Sequence, residues 1–126
     1  MATGIPRDVE QFIHQYLNSV EQLEVLLLLA GNTPQEQQEW STQEVSRELY
    51  TQPHSASLRL ASLQEVGLVR EAKAGHFCYS PASSDIDFTI RALGRAYRER
   101  KDSVIQLIFA QPPEALRAFS QSFLFR

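Results

Sequence analysis

The sequence has a single cysteine, Cys78, among 126 residues, so the chain cannot close an internal disulfide. This scarcity is typical of a reducing compartment, and we expect a cytoplasmic protein. Long apolar runs are also missing, because the longest, Val25–Ala30, is far too short to span a bilayer. The start, MATGIPRDVEQ, lacks the apolar segment of a signal peptide. The sequence therefore predicts no membrane partner.

Motifs that carry catalysis or bind metals are absent as well. The sequence has no glycine-rich phosphate loop and no nucleophile elbow. The histidines, His14, His54 and His76, lack metal-ligand spacing and have no cysteine partner nearby. Asp85 and Asp87 would point in different directions on a helix, which does not suit paired acid–base work. We expect neither an enzyme nor a metal or other cofactor.

Positive charge is scarce in the first part of the chain. The net charge is −3, from fifteen acidic and twelve basic residues. Residues 1–53 carry only Arg7 and Arg47 against eight acidic residues, whereas residues 54–126 carry ten basic and seven acidic residues. This asymmetry indicates either an acidic partner for the second part or two differently charged solvated faces.

The spacing of apolar residues predicts a mainly α chain with a small β-hairpin. Ser19-x-x-Gln22 and Ser41-x-x-Glu44 match capping boxes, and Gly31 is placed as a C-cap. In chain order we predict a helix after Pro6, helices over about Val20–Ala30, Thr42–Tyr50 and His54–Val66, strands Leu68–Ala72 and His76–Ser80, a long helix from Ser84 to about Ala110 with a break at Arg100-Lys101, and a last helix bearing Leu116, Phe119 and Phe123.

The central part of the chain has the element order of a winged helix-turn-helix. The stretch LRLASLQEVGLVREAKAGHFCYSP resembles MarR-like and related bacterial regulators, whose recognition helix ends in Leu-x-x-Leu-x-x-x-Gly-Leu-Val. The matching residues here are Leu60, Leu63, Gly67, Leu68 and Val69. The similarity covers about residues 19–82, the core of a single domain over residues 1–126. The helices in residues 1–18 and 83–126 match the family's dimerisation helices in position only.

The resemblance implies a DNA-binding transcriptional regulator that contacts double-stranded DNA through this helix and the hairpin. Leu60 and Leu63 dock the helix on the core, Gly67 turns the chain into the first strand, and the opposite helix face is expected to point outward. The predicted DNA contacts are His54, Ser55, Ser57, Leu58, Arg59 and Ser62 on the helix and Arg70, Lys73 and His76 on the hairpin. The alternative is a non-DNA winged helix that acts through protein–protein contacts.

A near-heptad stripe in the flanking helices predicts a homodimer. The predicted interface residues are Phe12, Tyr16, Ile86, Ile90, Leu93, Tyr97, Val104 and Ile108. The alternative is that both helices pack within one chain. Arg91, Arg95 and Arg98 share a helix face that would contact DNA backbone or an acidic partner, or would simply be solvated.

Overall fold

The computed structural model describes residues 4–31 and 38–110. Within these ranges the chain forms six helices and three short strands. In chain order they are α1 (Arg7–Tyr16), α2 (Val20–Ala30), β1 (Trp40–Ser41), α3 (Thr42–Leu49), α4 (Pro53–Glu65), β2 (Val69–Lys73), β3 (His76–Tyr79), α5 (Ser84–Glu99) and α6 (Lys101–Phe109). The prediction of a mainly helical chain with a small antiparallel sheet is confirmed. The last predicted helix, with Leu116, Phe119 and Phe123, lies outside the described residues. In the described ranges, no helix has the length and apolar character that a membrane span requires.

The three strands form an antiparallel sheet in the order β1-β3-β2. The predicted hairpin is present, with Val69 paired to Tyr79 and a bulge between Glu71 and Lys73. Strand β1 was not predicted; it pairs Trp40 with Phe77 and so adds a third strand along the free edge of β3. The hairpin is thereby anchored to the chain that enters α3.

Serine side chains cap the N-termini of α2 and α3, as predicted. The Ser41 capping box is complete, because Ser41 accepts from the Glu44 backbone and Glu44 accepts from the Ser41 backbone. At α2, Ser19 accepts from the Gln22 backbone, but the Gln22 side chain accepts from the Asn18 backbone instead of closing the box. The predicted box at Ser19 is therefore only half formed.

Helix α5 begins at Ser84, as predicted. Ser83, and not Ser84, is the N-cap, and its hydroxyl accepts from the Ile86 backbone at 3.2 Å. Asp87 accepts a hydrogen bond from the hydroxyl of Tyr79 at 2.6 Å. This contact joins the first turn of α5 to β3.

The core lies where α2 crosses α4 and the sheet, and where α1 packs against α5 and α6. Among its fully buried side chains are Leu23, Leu26, Leu60, Leu63 and Ile90. Burial of each such side chain contributes about 1.5–3 kcal/mol. The spacing of Leu60 and Leu63 identified the core-facing side of α4 correctly.

The stripe that predicted a homodimer is largely covered within one chain. Five of the eight predicted interface residues are buried, namely Phe12, Ile90, Leu93, Val104 and Ile108. The other three, Tyr16, Ile86 and Tyr97, are half-buried against the same core. Because the chain breaks at Arg100, α6 folds back and packs with α1 and α5. This is the intrachain packing that we considered as the alternative, and the homodimer stays a prediction.

Candidate nucleic-acid interface

Helices α3 and α4 pack against each other across a short turn that fixes the start of α4. Tyr50 ends α3 in the left-handed region, with φ 55°, and its side chain is 95% exposed. Gln52 has extended backbone, and Pro53 occupies the first turn of α4. Proline is suited to this position because its ring fixes φ and no backbone N–H is needed there. The turn presents the first residues of α4 to solvent.

Glu21 on α2 holds the first two turns of α4 from the inner side. Its carboxylate accepts hydrogen bonds from the hydroxyls of Thr51 and Ser55. Arg59 Nε donates to Glu21 Oε1 at 2.8 Å, which makes a charge-assisted contact. Two of the residues predicted to contact DNA, Ser55 and Arg59, are therefore bound to an acid of the chain itself.

The environment of Glu21 favours its ionised form. Burial by itself raises the pKa of this carboxyl, but the hydrogen bonds from Ser55, Thr51 and Arg59 and the charge of Arg59 outweigh it and lower the pKa to about 2. Glu21 is thus a carboxylate at neutral pH. Its negative charge offsets the positive charge of Arg59 on α4, the helix predicted to contact DNA.

A second polar contact joins the middle of α4 to α2. Gln22 is 2% exposed, and its Nε2 donates to the hydroxyl of Ser62 at 3.1 Å. Ser62 in turn donates to the backbone carbonyl of Arg59 at 2.8 Å. Buried polar groups need such partners, because an unpaired one costs about 1–3 kcal/mol. Ser62, a third predicted DNA contact, is engaged within the protein.

The remaining predicted contacts on α4 face outward. His54, Ser57 and Leu58 are exposed, and Leu58 retains 51% of its accessible surface. The structure thus divides the six predicted helix residues into an outer group of three and an inner group that contacts α2. Among the outer three, none carries a fixed positive charge.

On the hairpin, Arg70 and Lys73 are exposed, as predicted, whereas His76 is half-buried. Gly75 turns the chain with φ 78°, and its backbone N–H donates to the Glu71 carboxylate at 2.8 Å. His76 Nδ1 lies 3.2 Å from the Ala74 carbonyl. The hairpin tip is therefore stabilised by local contacts, with its two basic side chains directed to solvent.

The basic face of α5 is only partly available to a partner. Arg91 Nη1 donates to the carbonyls of Ala30 and Gly31 at 3.1 and 2.7 Å. Its guanidinium also lies 3.4 Å from Asp87 and 5.5 Å from the ring centroid of Tyr79. Arg91 therefore joins α5, the sheet and the end of α2.

Arg95 and Arg98, the other two members of the α5 basic face, are exposed. These two side chains are accessible to a partner or to solvent, as was predicted for all three arginines.

Sequence reasoning missed Glu21 and Gln22 as residues that bind side chains of α4. One signal was present, because α2 reads VEQLEVLLLLA and a carboxylate on so apolar a helix needs a partner once it approaches the core. The identity of that partner depended on the crossing of α2 and α4. Arg47, exposed on α3, was likewise not selected as a DNA contact.

Comparison with known proteins gave no relative: no family model matches the chain, and neither a curated protein nor a solved structure matches it.

Proposed function

We propose that this protein is a winged helix-turn-helix that binds double-stranded DNA and regulates transcription. The observation that carries the proposal is the chain order α2-β1-α3-α4-β2-β3 with the sheet order β1-β3-β2. In this arrangement α3 and α4 form the helix-turn-helix, and the β2-β3 hairpin forms the wing. The resemblance of the Leu60–Val69 stretch to MarR-like regulators points to the same activity.

In this proposal, α4 is the recognition helix and its first turns enter the major groove. His54 and Ser57 are exposed there and would hydrogen-bond base edges or phosphates, while Leu58 would contact a thymine methyl group. Arg70 and Lys73 on the wing would contact phosphates. Each of these side chains is accessible without any rearrangement of the chain.

Arg59 is the proposed central contact, and Glu21 is proposed to orient it. The ion pair uses Nε of Arg59, which leaves the two terminal nitrogens with no hydrogen bond in the part of the chain that the structure describes. These nitrogens form the edge of the guanidinium that binds guanine or phosphate in a bidentate manner. The side chain is 33% exposed, so this edge is accessible to solvent.

Binding of the purified protein to genomic DNA fragments at about 50 and 200 mM salt tests the proposal, since phosphate contacts weaken with salt. We expect selective enrichment of some fragments, its loss in Arg59→Gln, and its persistence in Arg7→Gln, which removes an exposed charge on α1. Arg70→Gln and Lys73→Gln should weaken binding to all fragments alike. Absence of retention even at low salt would overturn the proposal.

The second candidate function is a winged helix that acts through protein–protein contacts. It is favoured by the surface of α4 and the turn before it, where Tyr50 is 95% and Leu58 51% exposed. Exposed apolar groups beside an internally paired arginine suit a protein surface better than a phosphate backbone. Failure of DNA retention, combined with capture of a partner that Leu58→Asp abolishes, would support this function.

We also propose that the protein works as a homodimer, because paired recognition helices double the few phosphate contacts of one chain. On the flanking helices, Phe88 on α5 and Phe109 on α6 are exposed, at 67% and 74%, and are the residues we propose for this interface. A monomeric mass at micromolar concentration in solution would contradict the dimer.

A further inference from the structure

The positive charge of the proposed recognition helix is paired within the protein. Arg59 is the only lysine or arginine on α4, and its Nε donates to Glu21 Oε1 at 2.8 Å. Both groups are charged at neutral pH, because the contacts of Glu21 lower its pKa to about 2. A phosphate that approaches this part of α4 therefore meets one positive and one negative charge close together.

The ion pair lies near enough to the surface for both charges to act on a ligand of α4. The side chain of Arg59 is 33% exposed and that of Glu21 is 24% exposed. Charges act on one another over about 10 Å at 0.1 M salt, which is several times the length of this ion pair. The carboxylate therefore cancels much of the attraction between Arg59 and a phosphate.

The directed hydrogen bonds of Arg59 are not cancelled in the same way. The ion pair uses Nε, and within the described residues the two terminal nitrogens have no hydrogen-bond partner. A base edge is recognised by the direction of such N–H groups. Binding to unrelated sequence depends mainly on charge. The geometry thus weakens the contribution that all sequences share and keeps the contribution that distinguishes bases.

One charge is a large share of the total on this surface. Besides Arg59, the basic residues of α3, α4 and the hairpin are Arg47, Arg70 and Lys73, all of them exposed. Each phosphate contact changes the affinity about threefold between 50 and 200 mM salt. Removal of the Glu21 charge would raise the number of uncancelled cations from three to four.

We propose that Glu21 is a specificity-determining residue, whose carboxylate suppresses binding to unrelated DNA by cancelling the charge of Arg59 toward phosphates. The inference rests on the proposed DNA-binding function and deepens it. Glu21 does not contact DNA in this proposal, and it acts through Arg59. Its effect is on the ratio between binding of a selected sequence and binding of any other sequence.

Two labelled duplexes test the proposal with the full-length protein. One is a fragment that the wild type enriches from genomic DNA, and the other is a scrambled duplex of the same length and base composition. Fluorescence anisotropy at several salt concentrations between about 50 and 200 mM gives the affinity for each duplex and its salt dependence.

Glu21→Gln removes the charge and keeps an oxygen that can accept from Arg59 Nε. We expect it to bind the scrambled duplex about three- to tenfold more tightly at 50 mM salt, with a salt slope steeper by about 0.9. The selected duplex should gain less, so the ratio of the two affinities falls. A purely structural role of Glu21 would instead weaken binding of both duplexes and leave the slope unchanged.

Glu24→Gln is the matched control, because it removes the same charge from the same helix. The Glu24 carboxylate accepts from the Tyr97 hydroxyl at 2.7 Å and has no printed contact with α4. We expect this variant to keep the ratio and the slope of the wild type.

The double variant Glu21→Gln with Arg59→Gln gives a second comparison, which does not leave Arg59 without its carboxylate. It differs from Arg59→Gln only in the Glu21 charge, and we expect it to bind the scrambled duplex about threefold or more tightly than Arg59→Gln does. Neither variant should prefer the selected duplex. This comparison decides the matter if Glu21→Gln alone does not fold.

Unchanged affinity and slope for the scrambled duplex in both comparisons, with selection by the wild type intact, would overturn this inference and leave the proposed function standing. If the wild type binds neither duplex at 50 mM salt, the proposed function fails and this inference fails with it.

Discussion

Glu21 Oε1 and Arg59 Nε are 2.8 Å apart and form an ion pair between α2 and α4. The same carboxylate accepts from Thr51 and Ser55, so one acid holds the turn before α4 and its first two turns. In the proposed function, the orientation of the recognition helix therefore depends on a residue that would not itself contact DNA.

Glu21→Gln is expected to flatten the acid side of the stability profile. The pKa of Glu21 is about 2 in the folded chain and 4.5 ordinarily, so its carboxylate stabilises the fold fully above pH 4.5 and progressively less as the pH falls toward 2. At neutral pH we expect the free energy of unfolding of Glu21→Gln to be about 1–2 kcal/mol lower than that of the wild type. Urea denaturation across this pH range measures both effects. Glu48→Gln, on the exposed side of α3, is the control. If Glu21→Gln loses stability at acid pH as steeply as the wild type does, the proposed role of the Glu21 carboxylate is contradicted.

Leu58 and Leu60 are two residues apart on α4 but have opposite environments, with exposures of 51% and 0%. Leu60→Ala is expected to cost about 2–5 kcal/mol, because it leaves a cavity under the helix. Leu58→Ala should change the free energy of unfolding by less than about 0.5 kcal/mol. Chemical denaturation of both variants compares them, and similar costs would contradict the packing of α4.

Gly67→Ala is expected to destabilise the protein by about 1–2 kcal/mol through backbone strain alone. Its φ is 84°, and no heavy atom that could clash lies within 4 Å of an added Cβ. Gly67→Asn should cost less, since asparagine tolerates this region better. Gly94→Ala, with helical backbone, should instead stabilise the chain by about 0.5–1 kcal/mol. Thermal melts of the three variants test this order, and a stabilising Gly67→Ala would contradict it.

Asp87→Asn is expected to cost more stability than Tyr79→Phe. Removal of the Tyr79 hydroxyl breaks one hydrogen bond and leaves Asp87 beside Arg91, a loss of about 1 kcal/mol. Removal of the Asp87 charge also leaves the guanidinium of Arg91 without its carboxylate, and we expect about 2 kcal/mol. Urea titrations of both single variants and the double variant give the coupling energy, which should be about 1 kcal/mol. Equal single costs would show that Arg91 gains nothing from Asp87.

Local signals predicted much of the secondary structure because they act through neighbouring residues. The range of α2 was predicted correctly from the Ser19 cap and from Gly31, which has φ 69°. The Ser41 box, the turn at Gly67 and the Gly75 hairpin followed from the same kind of chemistry.

The differences arise from contacts between residues that are distant in the sequence. Strand β1 has only two residues, and its pairing with Phe77 cannot be deduced from its own pattern. The hydrogen bond from Tyr79 to Asp87 joins β3 to α5 and likewise has no local signal in the sequence. The candidate site shows the same limit, since the helix period identified which face of α4 is buried but not that Glu21 would reach Arg59.

Arg91 binds carbonyl groups of Ala30 and Gly31, which precede it by about sixty residues. During synthesis the ribosome therefore delivers the end of α2 long before the guanidinium that binds it. Any nascent chain that stops short of Arg91 carries these carbonyl groups without this partner. The carbonyl groups at the end of α2 therefore gain this partner only after α5 has been synthesised.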